Sequence, residues 1–172
     1  RKLAMPMLCC SPDFTSPDEG ERRFWVEQEK KWIDTVAFFN GEICRVLSGQ
    51  RRPDVGRRQG VAWVVQCIKA CLEHAERRGV VLAIENHYKD NYWSYPEFAQ
   101  KLDVFLEIVD QIPSPWFGVN YDPSNAILSG DGSIAVLNAV KERVVSMHAS
   151  DRYLKSGSLE ALRQADGTLG YS

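Results

Sequence analysis

The feature of this chain that most limits its fold is a repeated unit in which a short apolar run is followed by a helical pattern. Five such runs occupy residues 3–9, 43–47, 80–84, 117–121 and 144–147. Apolar runs of this length that alternate with helices predict βα units whose strands form a parallel sheet. The third run is apolar throughout, as expected of a strand that is covered on both faces.

Helical patterns fill the first two intervals between the runs. Ser16, Pro17 and Glu19 form a capping pattern at the start of the first helix. Glu29 is the only polar residue within the apolar face that follows. The second helix is predicted to end at Gly79, because glycine readily takes the left-handed conformation that closes a helix.

Two further helices are predicted in the later intervals. Ser94 and Glu97 repeat the capping pattern, so the third helix is predicted to begin at about Tyr95 and to end before Pro113. A fourth helix is predicted to begin near Ser133. No stretch has the composition of a linker between domains, so residues 1–172 are predicted to form a single domain.

The overall charge and composition exclude several classes of partner. A net charge of −2 provides no basic field for nucleic acid or an anionic membrane, and no apolar run has the length of a membrane span. Five cysteines without a C-x-x-C pair predict reduced thiols and a cytoplasmic protein. Cys67, Cys71 and His74 would share one face of a helix and could hold a metal. Because no fourth ligand accompanies them, we favour a place for the two thiols in the core.

One basic cluster, residues 50–58, follows the second apolar run. It contains no interleaved aromatic residues, so it gives little support for nucleic-acid binding. We interpret it as solvated loop charge, with the steering of an anionic substrate as the alternative.

Two α/β architectures accommodate five βα units: a doubly wound sheet and an incomplete (β/α)₈ barrel. The third, fourth and fifth runs are followed by Glu85, Asp122 and His148. In a barrel the carboxyl ends of all strands meet at one mouth, whereas in a doubly wound sheet the site lies at a single crevice. Three successive strands that end in ionisable residues therefore favour the barrel.

Glu85, Asp122 and His148 together offer two oxygen ligands and one nitrogen ligand. Such a set suits Mn²⁺, Mg²⁺, Co²⁺, Fe²⁺ or Zn²⁺. For each residue alone there is an alternative: Asp122 before Pro123 is typical of an Asx turn, and His148 is compatible with a half-buried loop histidine. The coincidence of all three favours a metal site.

The residues at these strand ends also resemble those of the xylose isomerase-like barrels. This superfamily includes sugar phosphate isomerases/epimerases, tagatose/psicose epimerases, inosose dehydratases and, more distantly, endonuclease IV. The motifs that carry the resemblance are Ile84-Glu85-Asn86-His87, Gly118-Val119-Asn120-Tyr121-Asp122-Pro123-Ser124-Asn125 and Met147-His148-Ala149-Ser150-Asp151.

The resemblance implies the fold and the ligand set. In the epimerase branch, the fifth to eighth strands end in metal-binding Glu, Asp, His and a second Glu, and Glu85, Asp122 and His148 match the first three. The implied fold is an incomplete (β/α)₈ TIM barrel with about strands three to seven present, and the first two and the eighth outside this chain. We therefore expect the chain to be a fragment. Many relatives have His three residues after the Asp, where this chain has Asn125.

The resemblance also implies an enzyme. It would be a metal-dependent isomerase or epimerase that acts on a sugar, keto-sugar or polyol derivative by proton abstraction next to a carbonyl, with a metal-stabilised enediolate. Glu85 would be the catalytic base as well as a metal ligand. Residues expected to bind the substrate are His87, Asn86, Asn125 and Arg152, with a salt bridge to Asp151 as the alternative for Arg152.

Three other functions stay open at this point. A lyase or dehydratase of the inosose dehydratase kind begins with the same proton removal. An endonuclease IV-like phosphodiesterase is disfavoured by the charge and by the presence of only three histidines. A non-catalytic barrel would keep the fold without the chemistry. The expected partner is a small-molecule sugar or polyol, and the sequence leaves a homo-oligomer open.

Overall fold

The computed structural model describes residues 4–170, and it confirms the βα repeat. Strands and helices alternate along most of the chain, with two helices between the last two strands. The strands are β1 (Met7–Cys9), β2 (Ile43–Val46), β3 (Val81–Glu85), β4 (Phe117–Tyr121) and β5 (Val144–Met147). The helices are α1 (Glu19–Phe38), α2 (Arg57–Arg78), α3 (Leu102–Asp110), α4 (Pro123–Leu128), α5 (Ser133–Val140) and α6 (Leu159–Leu162), with a 3₁₀ turn at Lys141–Arg143.

The five strands form one parallel sheet in the order β1-β2-β3-β4-β5. A flat sheet with this order would separate the outer strands by about 19 Å, since neighbouring strands lie about 4.8 Å apart. Instead, the Sγ atom of Cys9 at the end of β1 lies 3.7 Å from Nε2 of His148, which follows β5. The sheet is therefore curled, as in an incomplete (β/α)₈ barrel, and the sequential order excludes the doubly wound alternative.

The long helices pack on the outer face of the curled sheet. The apolar core lies between these layers and is built from residues of both, among them Ile33 of α1, Ile68 of α2 and Leu82 of β3. Gly79 ends α2 with a φ of 66°, and α5 begins at Ser133, so both of these predictions are confirmed. The inner face at the carboxyl ends of the strands is lined instead by buried polar residues, and this arrangement positions the candidate site.

Several predicted boundaries were wrong. Asp18, rather than Ser16, caps α1, because its side chain accepts hydrogen bonds from the main chain of Gly20 and Glu21. The third helix begins at Leu102 rather than Tyr95. The short helix α4 was not predicted. The strand predicted for residues 3–9 is formed from Met7, and its predicted start at Leu3 lies outside the described residues.

The predicted cluster of Cys67, Cys71 and His74 is divided between the core and the surface. Cys67 and Cys71 are buried among apolar residues, while Nε2 of His74 lies 2.9 Å from a carboxylate oxygen of Asp34. The alternative of a metal site there finds no support in residues 4–170. No helix in the described part of the chain has both the length and the apolarity to cross a membrane.

Candidate metal centre and active site

Glu85, Asp122 and His148 converge at the carboxyl ends of three neighbouring strands. Glu85 is the last residue of β3, Asp122 follows β4 and His148 follows β5. One ligand atom from each lies within 4.8 Å of the other two. Nδ1 of His148 is 3.3 Å from Oε1 of Glu85 and 3.4 Å from Oδ2 of Asp122. Within the described residues, no other group of histidine, cysteine or acidic side chains has this arrangement.

Glu85 is an almost fully buried carboxylate that remains anionic. Burial by itself would raise the pKa of Glu85, but the hydrogen bond with His148 and the charge of Arg45 outweigh it, so the pKa is lowered. Nη1 of Arg45 lies 3.1 Å from Oε2, and the side-chain amide of Asn125 donates to Oε1 at 3.0 Å. Each oxygen therefore has a separate partner, and Oε1 is the one that faces His148.

Asp122 caps a helix in addition to being a candidate metal ligand. It is the N-cap of α4, where Oδ1 accepts a hydrogen bond from the main-chain N–H of Asn125 at 2.9 Å. The hydroxyls of Ser124 and Ser150 donate to the same oxygen at 2.8 and 2.6 Å. Burial opposes ionisation of Asp122, but hydrogen bonds from His148 and Ser150 lower its pKa well below the usual range. Because these neutral donors occupy Oδ1, Oδ2 faces His148, so capping and ligand roles are compatible.

His148 carries the only nitrogen of the three-residue set. Hydrogen bonds to Asp122, Cys9 and Glu85 raise its pKa to about 11. A proton between two buried carboxylates thus occupies the place that a cation would take, so the environment favours positive charge. The donor set of two anionic oxygens and one imidazole nitrogen, converging within a few ångströms, fits a divalent ion. Metal binding would displace that proton.

Two of the predicted substrate residues contact other protein groups of the site. The side chain of Asn86 makes two hydrogen bonds with the main chain of Asp122, each 2.7 Å long. These bonds link the ends of β3 and β4 and orient Asp122, so Asn86 has a structural function beside the site. Asn125 likewise holds Glu85 in place. The substrate contacts predicted for Asn86 and Asn125 stay predictions beside these observed roles.

The other two predicted substrate residues, His87 and Arg152, lie on the loops that follow β3 and β5. His87 is mostly buried, and burial lowers its pKa against the opposing effect of Glu85. The guanidinium carbon of Arg152 lies 5.1 Å from the centre of the Tyr88 ring. The main-chain N–H of Arg152 donates to the Asp151 carboxylate at 2.8 Å. Substrate contacts of His87 and Arg152 stay predictions.

The basic cluster at residues 50–58 is largely neutralised by acidic partners. Arg52 makes two hydrogen bonds to Asp13, at 3.0 and 2.6 Å, and Arg51 lies 2.9 Å from Asp166. Arg57 pairs with Asp103 and Glu107. Arg51 and Arg52 therefore tie loops together, and Arg57 joins α2 to α3, which argues against a free positive field at the mouth.

Sequence reasoning missed Arg45 and Cys9 at the centre and Glu97 beside it. Arg45 is the one charged residue in an otherwise apolar strand, and this exception was the only sequence feature that could have identified it. Its guanidinium hydrogen-bonds to Glu85. Cys9 ends β1 as Glu85 ends β3, and a hydrogen bond with His148 lowers the pKa of its thiol. Glu97 was interpreted as a helix-capping residue, but it is fully buried.

These observations define a parallel α/β barrel segment with a candidate divalent metal centre at the carboxyl ends of its strands. A family model described as "Xylose isomerase-like TIM barrel" matches residues 1–168. The chain belongs to the xylose isomerase-like TIM barrel family.

Solved structures give the same fold. A 3-keto-D-glucoside 4-epimerase from E. coli, YcjR, has a TM-score of 0.72 at 20% identity, over 98% of this chain and 70% of that protein. A D-tagatose 3-epimerase-like protein has a TM-score of 0.71 at 18% identity, over 83% and 55%. The probable 3-DHS dehydratase AsbF from Bacillus anthracis has a TM-score of 0.68 at 15% identity, over 84% and 50%.

The chain spans about half the length of the tagatose 3-epimerase-like protein and of the probable dehydratase. A comparison with curated proteins gives no significant match. At such identities the likeness establishes the fold alone, because one fold carries many different activities.

Proposed function

We propose that the protein is a divalent-metal-dependent isomerase or epimerase that acts on a sugar, keto-sugar or polyol derivative. The observation that carries this proposal is the convergence of Glu85, Asp122 and His148 within 4.8 Å at the mouth of a barrel. Hydrogen bonds hold both carboxylates as anions. The protein therefore offsets the free-energy cost of placing two negative charges close together before any cation binds. The family of the chain and its structural likeness to epimerases support the same conclusion.

In the proposed reaction, a divalent ion held by the three side chains would polarise a carbonyl and its neighbouring hydroxyl. Glu85 is the proposed proton acceptor. Its lowered pKa keeps it ionised at neutral pH, as a base must be, and Asn125 and Arg45 fix its two oxygens. Arg45 also adds positive charge next to the carboxylate, which stabilises negative charge on the substrate after the proton leaves.

A dehydratase is the second candidate function. The structural likeness to a probable 3-DHS dehydratase supports it, because elimination of water from a keto-polyol begins with the same proton abstraction. The two functions differ in the fate of the carbanion: reprotonation gives an epimer or isomer, whereas loss of a neighbouring hydroxyl gives an unsaturated product.

Solvent-exchange kinetics test the proposal directly. We expect the full-length protein with Mn²⁺ to incorporate deuterium next to the carbonyl of at least one ketohexose or keto-polyol in D₂O, as measured by proton NMR. We expect His148→Ala to lose both the bound ion and the exchange. An epimer among the products supports the first function, and an unsaturated product supports the second. A wild-type protein that binds no divalent ion would refute both.

A further inference from the structure

Glu97 is a fully buried acid beside the candidate centre, and the proposed function leaves it unused. It lies between β3 and α3 and is 0% exposed. Its main-chain N–H donates to the carbonyl of Tyr88 at 2.8 Å, and the next N–H, of Phe98, donates to the carbonyl of Gly49 at 2.7 Å. The segment that carries Glu97 therefore joins the loops that follow β2 and β3, and these hydrogen bonds hold it in place.

The two oxygens of Glu97 have different surroundings. Oε1 accepts hydrogen bonds from the main-chain N–H of Ser48, at 2.8 Å, and from the Ser48 hydroxyl. Oε2 is buried and has no hydrogen-bond partner. Nδ1 of His87 is also buried without a partner, and it lies 3.9 Å from Oε2.

These two atoms complement each other. Buried polar atoms in proteins are nearly always paired, and the 3.9 Å between Nδ1 and Oε2 is about 0.7 Å beyond the usual hydrogen-bonding range. Hydrogen bonds at active sites are often long before a ligand binds. A small rotation of the His87 ring would therefore satisfy both atoms.

We propose that Glu97 is a positioning residue that donates a hydrogen bond from Oε2 to Nδ1 of His87 and thereby places the N–H of the neutral ring at Nε2. The hydrogen bond itself is independent of the function proposed above. Its use rests on that function: the Nε2–H would be a donor for a carbonyl or hydroxyl oxygen of the sugar.

The position of the proton follows from the surroundings of Glu97. Burial raises the pKa of Glu97 to about 8, against weaker opposition from the hydrogen bonds of Ser48 and the charge of Arg45, so the acid is protonated at neutral pH. Because both Ser48 donors point at Oε1, the proton belongs on Oε2, the oxygen that faces His87.

Part of the His87 side chain is accessible to solvent. The side chain is 15% exposed although Nδ1 is buried, so the exposed part lies elsewhere on the ring. His87 is also only two residues beyond Glu85, at the same strand end. A donor at Nε2 would thus lie on the accessible edge of a residue close to the candidate centre.

The tautomer of His87 tests the inference without a substrate. In the ¹⁵N-histidine-labelled full-length protein at pH 7, with the His87 signals assigned by their loss in His87→Gln, we expect the Nε2–H tautomer. Glu97→Gln should retain it: the amide oxygen would accept from Ser48, and the amide N–H would donate to Nδ1. Glu97→Leu, which leaves Nδ1 without a donor, should shift both ring nitrogens toward the mixture of tautomers of free imidazole.

A proton on Nδ1 in the wild type or in Glu97→Gln would overturn the inference, even if Glu97→Leu failed to fold. Unchanged His87 signals in a folded Glu97→Leu would also overturn it. Glu29→Gln, at another fully buried acid, is the control and should leave the His87 signals unchanged; a shift there would assign the effect to general loosening and contradict the proposal. A protein with the expected tautomers but no sugar chemistry would refute the proposed function alone.

Discussion

Glu29 and Glu85 are two buried acids on opposite sides of the same sheet. Glu29 lies on α1 in the layer between helices and sheet and is 0% exposed, and Glu85 lies at the barrel mouth and is 2% exposed. Burial raises the pKa of Glu29 to about 8, since its hydrogen bond from the Cys44 thiol, at 3.3 Å, is a weak compensation. Burial acts in the same direction on Glu85, yet His148 and Arg45 reverse it and lower the pKa.

The difference shows that partners, rather than depth of burial, decide the charge of an acid in this protein. Glu29 faces thiols and apolar side chains, so it is protonated at neutral pH and behaves as part of the core. Glu85 faces a guanidinium, an amide and an imidazole, so it is an anion that attracts a cation. The comparison also explains why the candidate metal centre forms on one side of the sheet and not on the other.

The largest expected effect is a difference in Mn²⁺ affinity between variants of Glu85 and Glu29. Glu85→Gln removes an anionic candidate ligand, and we expect it to weaken Mn²⁺ binding by at least about 100-fold, the upper range for loss of a supporting partner alone. Glu29→Gln removes no ligand and should bind within about twofold of the wild type, a difference of under 0.5 kcal/mol. Isothermal titration of both variants provides the measurement. Equal losses of Mn²⁺ affinity in the two variants would contradict a ligand role that is specific to Glu85.

The second effect concerns stability as a function of pH. The pKa of Glu29 is raised in the folded state, so its stabilising contribution is complete below the unfolded pKa of about 4.5 and is lost as pH rises toward 8. In this window the wild type should lose about 1.4 kcal/mol of unfolding free energy per pH unit from this group. Glu29→Gln should remove that part of the slope, as measured by urea unfolding at pH 5, 6 and 7. An unchanged slope would mean that Glu29 is ionised in the fold.

The smallest effect tests the support of Glu85. Asn125→Ala removes the 3.0 Å hydrogen bond to Oε1, and we expect about 10-fold weaker Mn²⁺ binding, as for other partners of metal ligands. Ser129→Ala is the matched control, because Ser129 is also buried at this helix but bonds to the carbonyl of Ala126. Affinity that is unaffected by Asn125→Ala would show that Arg45 and His148 suffice to orient Glu85.

The sequence predicted the repeating architecture and the three ligand candidates because both depend on local patterns. Apolar runs at regular intervals identify strands, and the first ionisable residue after each run marks the mouth of a barrel. The same local reasoning failed between β3 and α3. Ser94 and Glu97 match a capping pattern, yet Glu97 hydrogen-bonds to Ser48 across 49 residues. Contacts to distant loops replace the helix that the pattern predicts.

The remaining site residues could not be assigned from sequence, since their partners are far away along the chain. Arg45 is 40 residues from Glu85, and Cys9 is 139 residues from His148. Nothing within a short window marks Arg45 as the partner of a ligand, or distinguishes Glu29 from Glu85. Asn86 and Asn125, expected at the substrate, were correctly located near the ligands, but the contacts that the structure gives them are with Asp122 and Glu85.

The sequence by itself determined the order of strands and helices, the end of the sheet at which polar residues gather, and the identity of the three ligand candidates. These properties follow from periodicity and from which residue comes next, and both are local. The tertiary structure alone decided which buried acids are charged. A carboxyl pKa in a protein interior is a balance between desolvation and a few partners within about 4 Å, and in this fold those partners come from other strands.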